Sequence, residues 1–529
     1  MVTKKRSETT DSAKGFSRRQ FLKVAGAGAA AIGATSSLAA IGGQSLLMPE
    51  RAHAATHPEN FGRIFPSLPS FAPATDVVRA ALMDIGKPGG ILDANDDLAA
   101  GPVALIVDPA LSANNRNNPT HTAGTTFMGQ FLDHDMTFDT SSALGVPTEP
   151  GKSPNARTPS LDLDSVYGRG PVADSQLYDP AERIKFKVES GGLFEDLPRG
   201  ADMRALIADP RNDENLVIAG LQSAFLLFHN KMVDLVRRTM PSARDPFRTA
   251  RTLTTYHYHW LILKEFLPLF VGQPMVDRIL REGRKFYPPK KDEAFIPVEF
   301  QGATYRFGHS MVRPSYRANL AGDQGQPFFA MIFDPAGDGQ ADPVDLRGGA
   351  RAPRRFIGWQ TFFNFGDGEV KPNKRIDTRI STPLFHLPLN ALAFPGGPLA
   401  LPQRNLLRHL TWELPSGQAI ARAMGVIALT AADFEELRAY GLGFESSTPL
   451  WYYVLKEAEM VEDGLRLGPV GGRIVGEVFI GLLQTDPKSF LNVQPDFKPL
   501  VPTRTGRPED FRMVDFLTFA GVDPASRGQ

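Results

Sequence analysis

Gly129-Gln130-Phe131-Leu132-Asp133-His134-Asp135-Met136-Thr137-Phe138-Asp139 is the stretch from which the rest of this chain is read. At helical spacing, residues three and four apart are neighbours, so Gln130, Asp133 and His134 share one face and Asp135 is turned about 100° further round. One face then offers an amide, a carboxylate and an imidazole for acid-base work, and the next offers a carboxylate for a cation. Taken alone, an Asp-His-Asp run is equally a capped helix with surface carboxylates and one satisfied core histidine. Partners farther along the chain separate the two readings.

Composition narrows the field first. A chain of 529 residues can hold more than one ordinary domain or one large enzyme with a continuous core. Its 42% hydrophobic and 22% charged content is that of a folded globular protein. With a formal net charge of zero there is no electrostatic case for nucleic acid. The absence of cysteine excludes disulfides, thiolate metal sites, iron–sulfur clusters and the cysteine attachment of c-type haem. Any metal must be held by His, carboxylate, hydroxyl or carbonyl groups.

Ser17-Arg18-Arg19-Gln20-Phe21-Leu22-Lys23 precedes an Ala/Gly-rich, weakly apolar run from Val24 to Met48, with Ala52-His53-Ala54 as a small-residue cleavage site. This is the pattern of a bacterial twin-arginine export signal over residues 1–54, which directs the remainder to the periplasm or beyond through the twin-arginine machinery. The run lacks the sustained Leu/Ile content of a spanning helix, so no stable transmembrane anchor is expected. Removing it leaves the remaining chain near minus five.

Residues 55–125 look irregular, with Pro, Gly and the turn-rich Asn114-Asn115-Arg116-Asn117-Asn118. Helices are expected at 125–137, from Asp209-Pro210-Arg211 through Leu235, and at 247–270, 416–426, 430–440 and 470–484. Asp334 to Arg354 and Phe394 to Leu401 read as long functional loops. Strand-like alternation is scarce, and neither an internal repeat nor a flexible linker divides the body. A mainly α fold with little β and one domain over 55–529 follows.

His309 lies in Thr304-Tyr305-Arg306-Phe307-Gly308-His309-Ser310, where the glycine lets something flat and bulky approach the backbone. Arg404-Asn405-Leu406-Leu407-Arg408 adds a side-chain amide and a further guanidinium, and Arg211 with Glu214 adds another charged pair. Taken in this order over residues 120 to 420, these stretches resemble the animal-type haem peroxidases of the peroxidase-cyclooxygenase superfamily, including the myeloperoxidase-like enzymes. The resemblance implies a single large haem peroxidase domain of the myeloperoxidase-like type.

By that resemblance His134 is the distal histidine, with Gln130 beside it and Arg211 completing the peroxide pocket. His309 is the proximal iron ligand of haem b, Asn405 holds its other ring nitrogen, and Arg306 and Arg408 hold the propionates. Asp133 and Glu214 stand where relatives form ester links to the haem. The implied activity is reduction of hydrogen peroxide and oxidation of a small-molecule or anionic donor through a ferryl intermediate. The chemistry agrees: a neutral imidazole can shuttle the peroxide proton, and a guanidinium stabilises charge on the breaking O–O bond.

Asn215 follows Glu214 where myeloperoxidase-like enzymes place a methionine bonded to a haem vinyl group, so a sulfonium link is excluded at this position. Bromide, iodide, thiocyanate or phenols are then better donors than chloride. The resemblance also places calcium between Asp135 and the loop Thr158-Pro159-Ser160-Leu161-Asp162-Leu163-Asp164, through Thr158, the Ser160 carbonyl, Asp162 and Asp164. A solvated acidic turn is the plainer reading of that loop.

Two other functions share the framework. Fatty-acid dioxygenases of the superfamily carry a tyrosine three residues before the proximal histidine. Here that position is Arg306, with Tyr305 one place out of register. A non-catalytic secreted haem- or calcium-binding protein would have lost the distal set, yet Gln130, His134 and Arg211 are all present. His257 and His259 point about 200° apart on a helix, which suits packing better than joint ligation.

Overall fold

The computed structural model describes residues 59–190, 194–290, 293–350, 354–388 and 397–529. The twin-arginine segment and part of the Phe394 to Leu401 loop lie outside the described residues. The body is mainly helical. Among the described residues, strands form two-stranded antiparallel pairs, of which the longest is the hairpin Ser315–Asp323 with Gln326–Met331.

Two helices carry the layout. The helix Ala123–Met136 is buried on most of its surface, and its C-terminus is closed by Asn155, whose Nδ2 donates to the Met136 carbonyl (2.8 Å) while Oδ1 accepts from Phe138 N (2.7 Å). The helix Leu216–Thr239 opens on Asn215, whose Oδ1 accepts from the amides of Val217 (3.1 Å) and Ile218 (3.0 Å). Such a cap contributes about 1 kcal/mol. Phe131 stacks on Phe225 at 4.4 Å and 8° between planes, and locks the two helices together with about 0.5–1.5 kcal/mol beyond plain burial. On another side of the first helix, Gly124 permits the close approach of the segment carrying Phe362 and Phe363: a Cβ there would sit 2.5 Å from the Phe363 ring.

The expected helix at 247–270 runs as Pro246–Leu261, a π turn Ile262–Phe266 and Leu267–Val271. Those at 416–426 and 470–484 are observed as Gly417–Met424 and Pro469–Thr485. Three expectations need correction. Residues 430–440 wind as 3₁₀ turns broken at Phe434, because a Thr430–Asp433 capping box tightens the first turn and the φ of −126° at Phe434 interrupts it. The region 55–125 is not wholly irregular: it contains Asp76–Ile85, capped by Thr75, and Gly101–Val107. Leu401–Thr411, Leu450–Glu462 and Met513–Ala520 are further helices that the sequence reading passed over.

Leu216–Thr239 is, among the described residues, the one helix long and apolar enough to cross a membrane, and most of its apolar window is buried inside the body. Its hydrophobicity belongs to the core.

Candidate active site

One side of the site, the side expected to be distal, is built on Ala123–Met136 and on the 3₁₀ turn Pro210–Asp213 that leads into the next helix. His134 is 4% exposed, and its Nδ1 lies 2.8 Å from Asn212 Oδ1. Its Nε2 faces Glu214, with Oε1 at 3.7 Å. Burial, reinforced by the Arg211 charge, pushes the imidazole down to about 3, so the ring is neutral at physiological pH. Gln130 donates from Nε2 to the same Glu214 oxygen and accepts from Asn215 Nδ2 at 3.3 Å. Burial drives the Glu214 carboxyl up to about 8 against the pull of Arg211.

Arg211 is held tightly. Its Nε and Nη2 grip Asp209 at 3.0 and 2.8 Å, Nη2 also donates to the His134 carbonyl (2.9 Å), and the guanidinium lies 4.2 Å from the centre of the Phe138 ring. Nη1 takes part in none of these bonds. Burial would raise the Asp209 carboxyl, but the Arg211 guanidinium outweighs it and keeps the group ionised. A paired guanidinium of this kind is geometrically fixed.

The side expected to be proximal comes from Thr304–Phe307 and the following turn Gly308–Met311, which packs against the helix that bears His134. Tyr305 donates its hydroxyl to the Gly129 carbonyl at 2.8 Å, which ties this segment to the helix that carries His134. His309 Nδ1 lies 2.7 Å from Asn405 Nδ2, and Asn405 Oδ1 accepts from Arg306 Nη1 at 3.1 Å. Arg306 also donates from Nε to the Gln301 carbonyl (2.7 Å). Arg408 is spent on Asp139 Oδ2 (2.6 Å) and Ser142, so a propionate at Arg408 would compete with an existing ion pair. Burial, with Arg408 and Arg404 nearby, pushes Arg306 down to about 10 even though Asp133 opposes it. Asp139 neutralises Arg408, and the charge of Arg306 is opposed by Asp133 and Asp139.

Three observations fit this space to a haem. Gln130, Asp133, Arg211, Glu214, Arg306 and His309 keep accessible surface, yet burial is the leading influence on the titration of the last five. Such side chains border an internal cleft. His309 Nε2 has no hydrogen-bond partner among the described residues. Beside it, a Cβ on Gly308 would find no atom within 4 Å, so that flank is open to something flat.

Asp135, Asp162 and Asp164 bring carboxylate oxygens within 4.8 Å of one another. Asp135 is fully buried and accepts from Leu163 N (3.1 Å), Ser165 Oγ (2.8 Å) and the Tyr258 hydroxyl (3.1 Å). Thr158 donates from N and Oγ1 to Asp164 Oδ2, both at 3.3 Å, while the buried Asp164 Oδ1 lies 3.5 Å from Arg157 Nη1. Burial and the neighbouring carboxylates raise Asp135 well above its ordinary range and Asp164 to about 7. A hard cation would relieve that repulsion. Ser160 lies in the same loop, its amide bonded to the Thr158 carbonyl at 2.7 Å.

The structure brings Gln130, His134 and Glu214 together, His309 with Asn405 and Arg306, and Asp135 with Asp162 and Asp164, while Arg408 turns to Asp139. It adds Asn212, Ser165, Tyr258 and Asp139, which no spacing rule pointed to, and Arg211 makes the pairing with Asp209 that its place at the start of a helix also suggests. His257 and His259 are packing residues: His257 Nε2 accepts from Leu500 N (2.9 Å), and His259 Nε2 lies 2.8 Å from the Leu161 carbonyl.

Residues 140–336 match the animal haem peroxidase family, a span that holds Arg211, Glu214 and His309 but begins after His134. Among curated proteins the chain is similar to a dual oxidase of Drosophila melanogaster, 32% identical over 111 residues, which is 21% of this chain and 7% of that protein. A peroxidasin homolog of Caenorhabditis elegans is 25% identical over 183 residues, covering 30% of this chain and 14% of the relative. The chain therefore spans only a small part of these relatives. Among solved structures, peroxidase A from Dictyostelium discoideum superimposes with a TM-score of 0.57 at 16% identity, over 87% of this chain and 93% of that one. A fatty acid alpha-dioxygenase of Oryza sativa reaches 0.56 at 14% identity, over 80% of each chain. The fold is common to both chemistries.

Proposed function

We propose that this chain belongs to the animal haem peroxidase family, which residues 140–336 match, and that it binds haem b at His309 and reduces hydrogen peroxide with His134 as the proton carrier. The observation that carries this reading is the free Nε2 of His309 beside the open flank of Gly308, on a segment packed against the helix that bears His134. Haem, when bound there, supplies an iron that can pass two electrons to a peroxide and recover them from a donor.

The protein's own part is proton and charge management. His134, held neutral, takes the peroxide proton and returns it to the departing oxygen. Arg211, fixed by Asp209, faces the negative charge that grows as the O–O bond breaks, with Nη1 as the uncommitted donor. Gln130 holds the Glu214 carboxyl to one side of the imidazole. Arg306 offers the proximal rim a guanidinium for a propionate, whereas at Arg408 a propionate would have to share the guanidinium with Asp139. Asp133 and Glu214 border the cleft and are the carboxyls available for ester links.

Bromide, iodide, thiocyanate or phenols are the proposed donors, supported by Asn215, which serves as a helix cap where a methionine would be needed for a sulfonium link. Calcium is proposed at Asp135, Asp162 and Asp164, with Thr158 and the Ser160 carbonyl. Export through the twin-arginine route is proposed from residues 1–54 alone.

The test is an absorption spectrum of the haem-loaded chain before and after one equivalent of hydrogen peroxide, followed by bromide, thiocyanate or guaiacol. A rapid fall and red shift of the Soret band, reversed by a donor, is expected. An inert spectrum, or oxygen uptake on linoleate without added peroxide, would replace this reading with a binding protein or a dioxygenase respectively.

A further inference from the structure

The peroxidase reading requires one ring nitrogen of His134 to face the cleft without a proton, and two buried carboxamides bear on which nitrogen that is. Asn212 Oδ1 lies 2.8 Å from His134 Nδ1, and Asn212 Nδ2 donates to Gln222 Oε1 at 2.8 Å. An amide oxygen can only accept, so the hydrogen in the first bond sits on Nδ1. Asn212 cannot turn over while Gln222 holds its Nδ2. Both carboxamides are fully buried, so water is not at hand to substitute for either bond.

The backbone keeps this chain in line. Asn212 sits in the 3₁₀ turn Pro210–Asp213, its amide bonded to the Asp209 carbonyl at 3.0 Å, and Gln222 projects from the second turn of the helix capped by Asn215. Nε2 of His134 is left facing Glu214. We propose that Asn212 and Gln222 are positioning residues, a buried amide chain that holds His134 in the Nδ1–H tautomer and aims Nε2 as the proton acceptor. The proposal rests on the peroxidase reading for its consequence, but the tautomer is measurable without any activity.

Gln222 Nε2 has no hydrogen-bond partner among the described residues, and this makes the direction of the chain a sharp question. Were the Gln222 amide turned over, Nε2 would donate to Asn212, Asn212 would donate to Nδ1, and the ring proton would move to Nε2. The two directions are mutually exclusive.

The experiment uses the full chain labelled with ¹⁵N-histidine and loaded with zinc protoporphyrin, so that the ring nitrogens are read by NMR without a paramagnetic iron. The His134 signals are assigned from their loss in His134→Phe. A protonated Nδ1 is expected in the native chain, and a mixed or reversed pattern in Asn212→Leu. With haem in place, Asn212→Leu should slow the peroxide reaction about 10- to 100-fold without a matching loss of haem. Gln222→Leu should act in the same direction, and the double variant should be no slower than Asn212→Leu, since both act through one bond.

Asn212→Asp presents an oxygen that can only accept and should keep the Nδ1–H pattern, which preserves the test if the leucine variant does not fold. A native ring protonated on Nε2 would overturn the amide chain and leave the peroxidase reading standing. A native chain with the Nδ1–H ring that ignores peroxide would overturn the peroxidase reading instead.

Discussion

Replacing His134 by alanine is expected to slow the reaction of the haem-loaded chain with hydrogen peroxide by about 10² to 10⁴, the usual worth of a positioned acid-base group. Haem content should stay at the native level, because His134 is not the proposed ligand. Stopped-flow measurement of the Soret change against peroxide concentration gives the rate directly. The pH dependence carries a second mark of the same residue. The neutral ring is the working form, and burial beside Arg211 lowers its titration from 6.5 to about 3, although Asp209 and the Asn212 bond pull the other way. The native rate should therefore hold from neutral pH down to about 4, with no loss near 6.5. An unchanged rate in the alanine variant would remove His134 from the mechanism.

The second large effect concerns calcium. Asp135, Asp162 and Asp164 converge with carboxylate oxygens within 4.8 Å of one another, and the Arg157 guanidinium stands 3.5 Å from Asp164 Oδ1. An ion that binds only the folded chain adds about 2.7 kcal/mol of stability at a hundred times its dissociation constant. Chelation with EDTA should remove stability of that order, and restored calcium should return it, as read by denaturant or thermal unfolding. In Asp164→Asn the response to EDTA should shrink sharply, since a charged ligand is gone. Native stability that ignores EDTA would discard the cation and leave a protonated acidic turn. Because Asp135 is the next residue after His134, cation loss should also slow the peroxide reaction.

Much of this site could be read from the chain because its chemistry is local. Gln130, Asp133, His134 and Asp135 lie on a single helix, so the helical period alone assigns them to faces. Arg306 and His309 sit in one short turn, and Asn405 and Arg408 on one helix. Asn212 was harder to see, since its role depends on a 3₁₀ turn meeting a helix more than seventy residues upstream. Gln222 left one trace, a carboxamide that with Ser223 interrupts the apolar stretch Leu216–Phe228, which a buried polar residue explains and a solvated one does not.

Arg408 illustrates a different limit. Its guanidinium suggested a free anion partner, but Asp139, five residues after His134, already neutralises it across 269 positions of sequence. Helix ends followed a similar division. Asn215 was noticed as a departure from the family pattern, and the structure gives its local duty, since the amides of Val217 and Ile218 need an acceptor at that place. Phe434 breaks 430–440 through a backbone angle that no composition rule predicts.

His309 and His134 are proposed to serve opposite sides of one iron porphyrin. Titration of the full chain with haem, followed at the Soret band in the native protein, His134→Ala and His309→Ala, tests this most directly. The expected result is one tightly held haem per chain in the native protein and in His134→Ala, and a weakened or differently ligated haem in His309→Ala. Equal binding with an identical band in His309→Ala, or no uptake by the native chain, would contradict it.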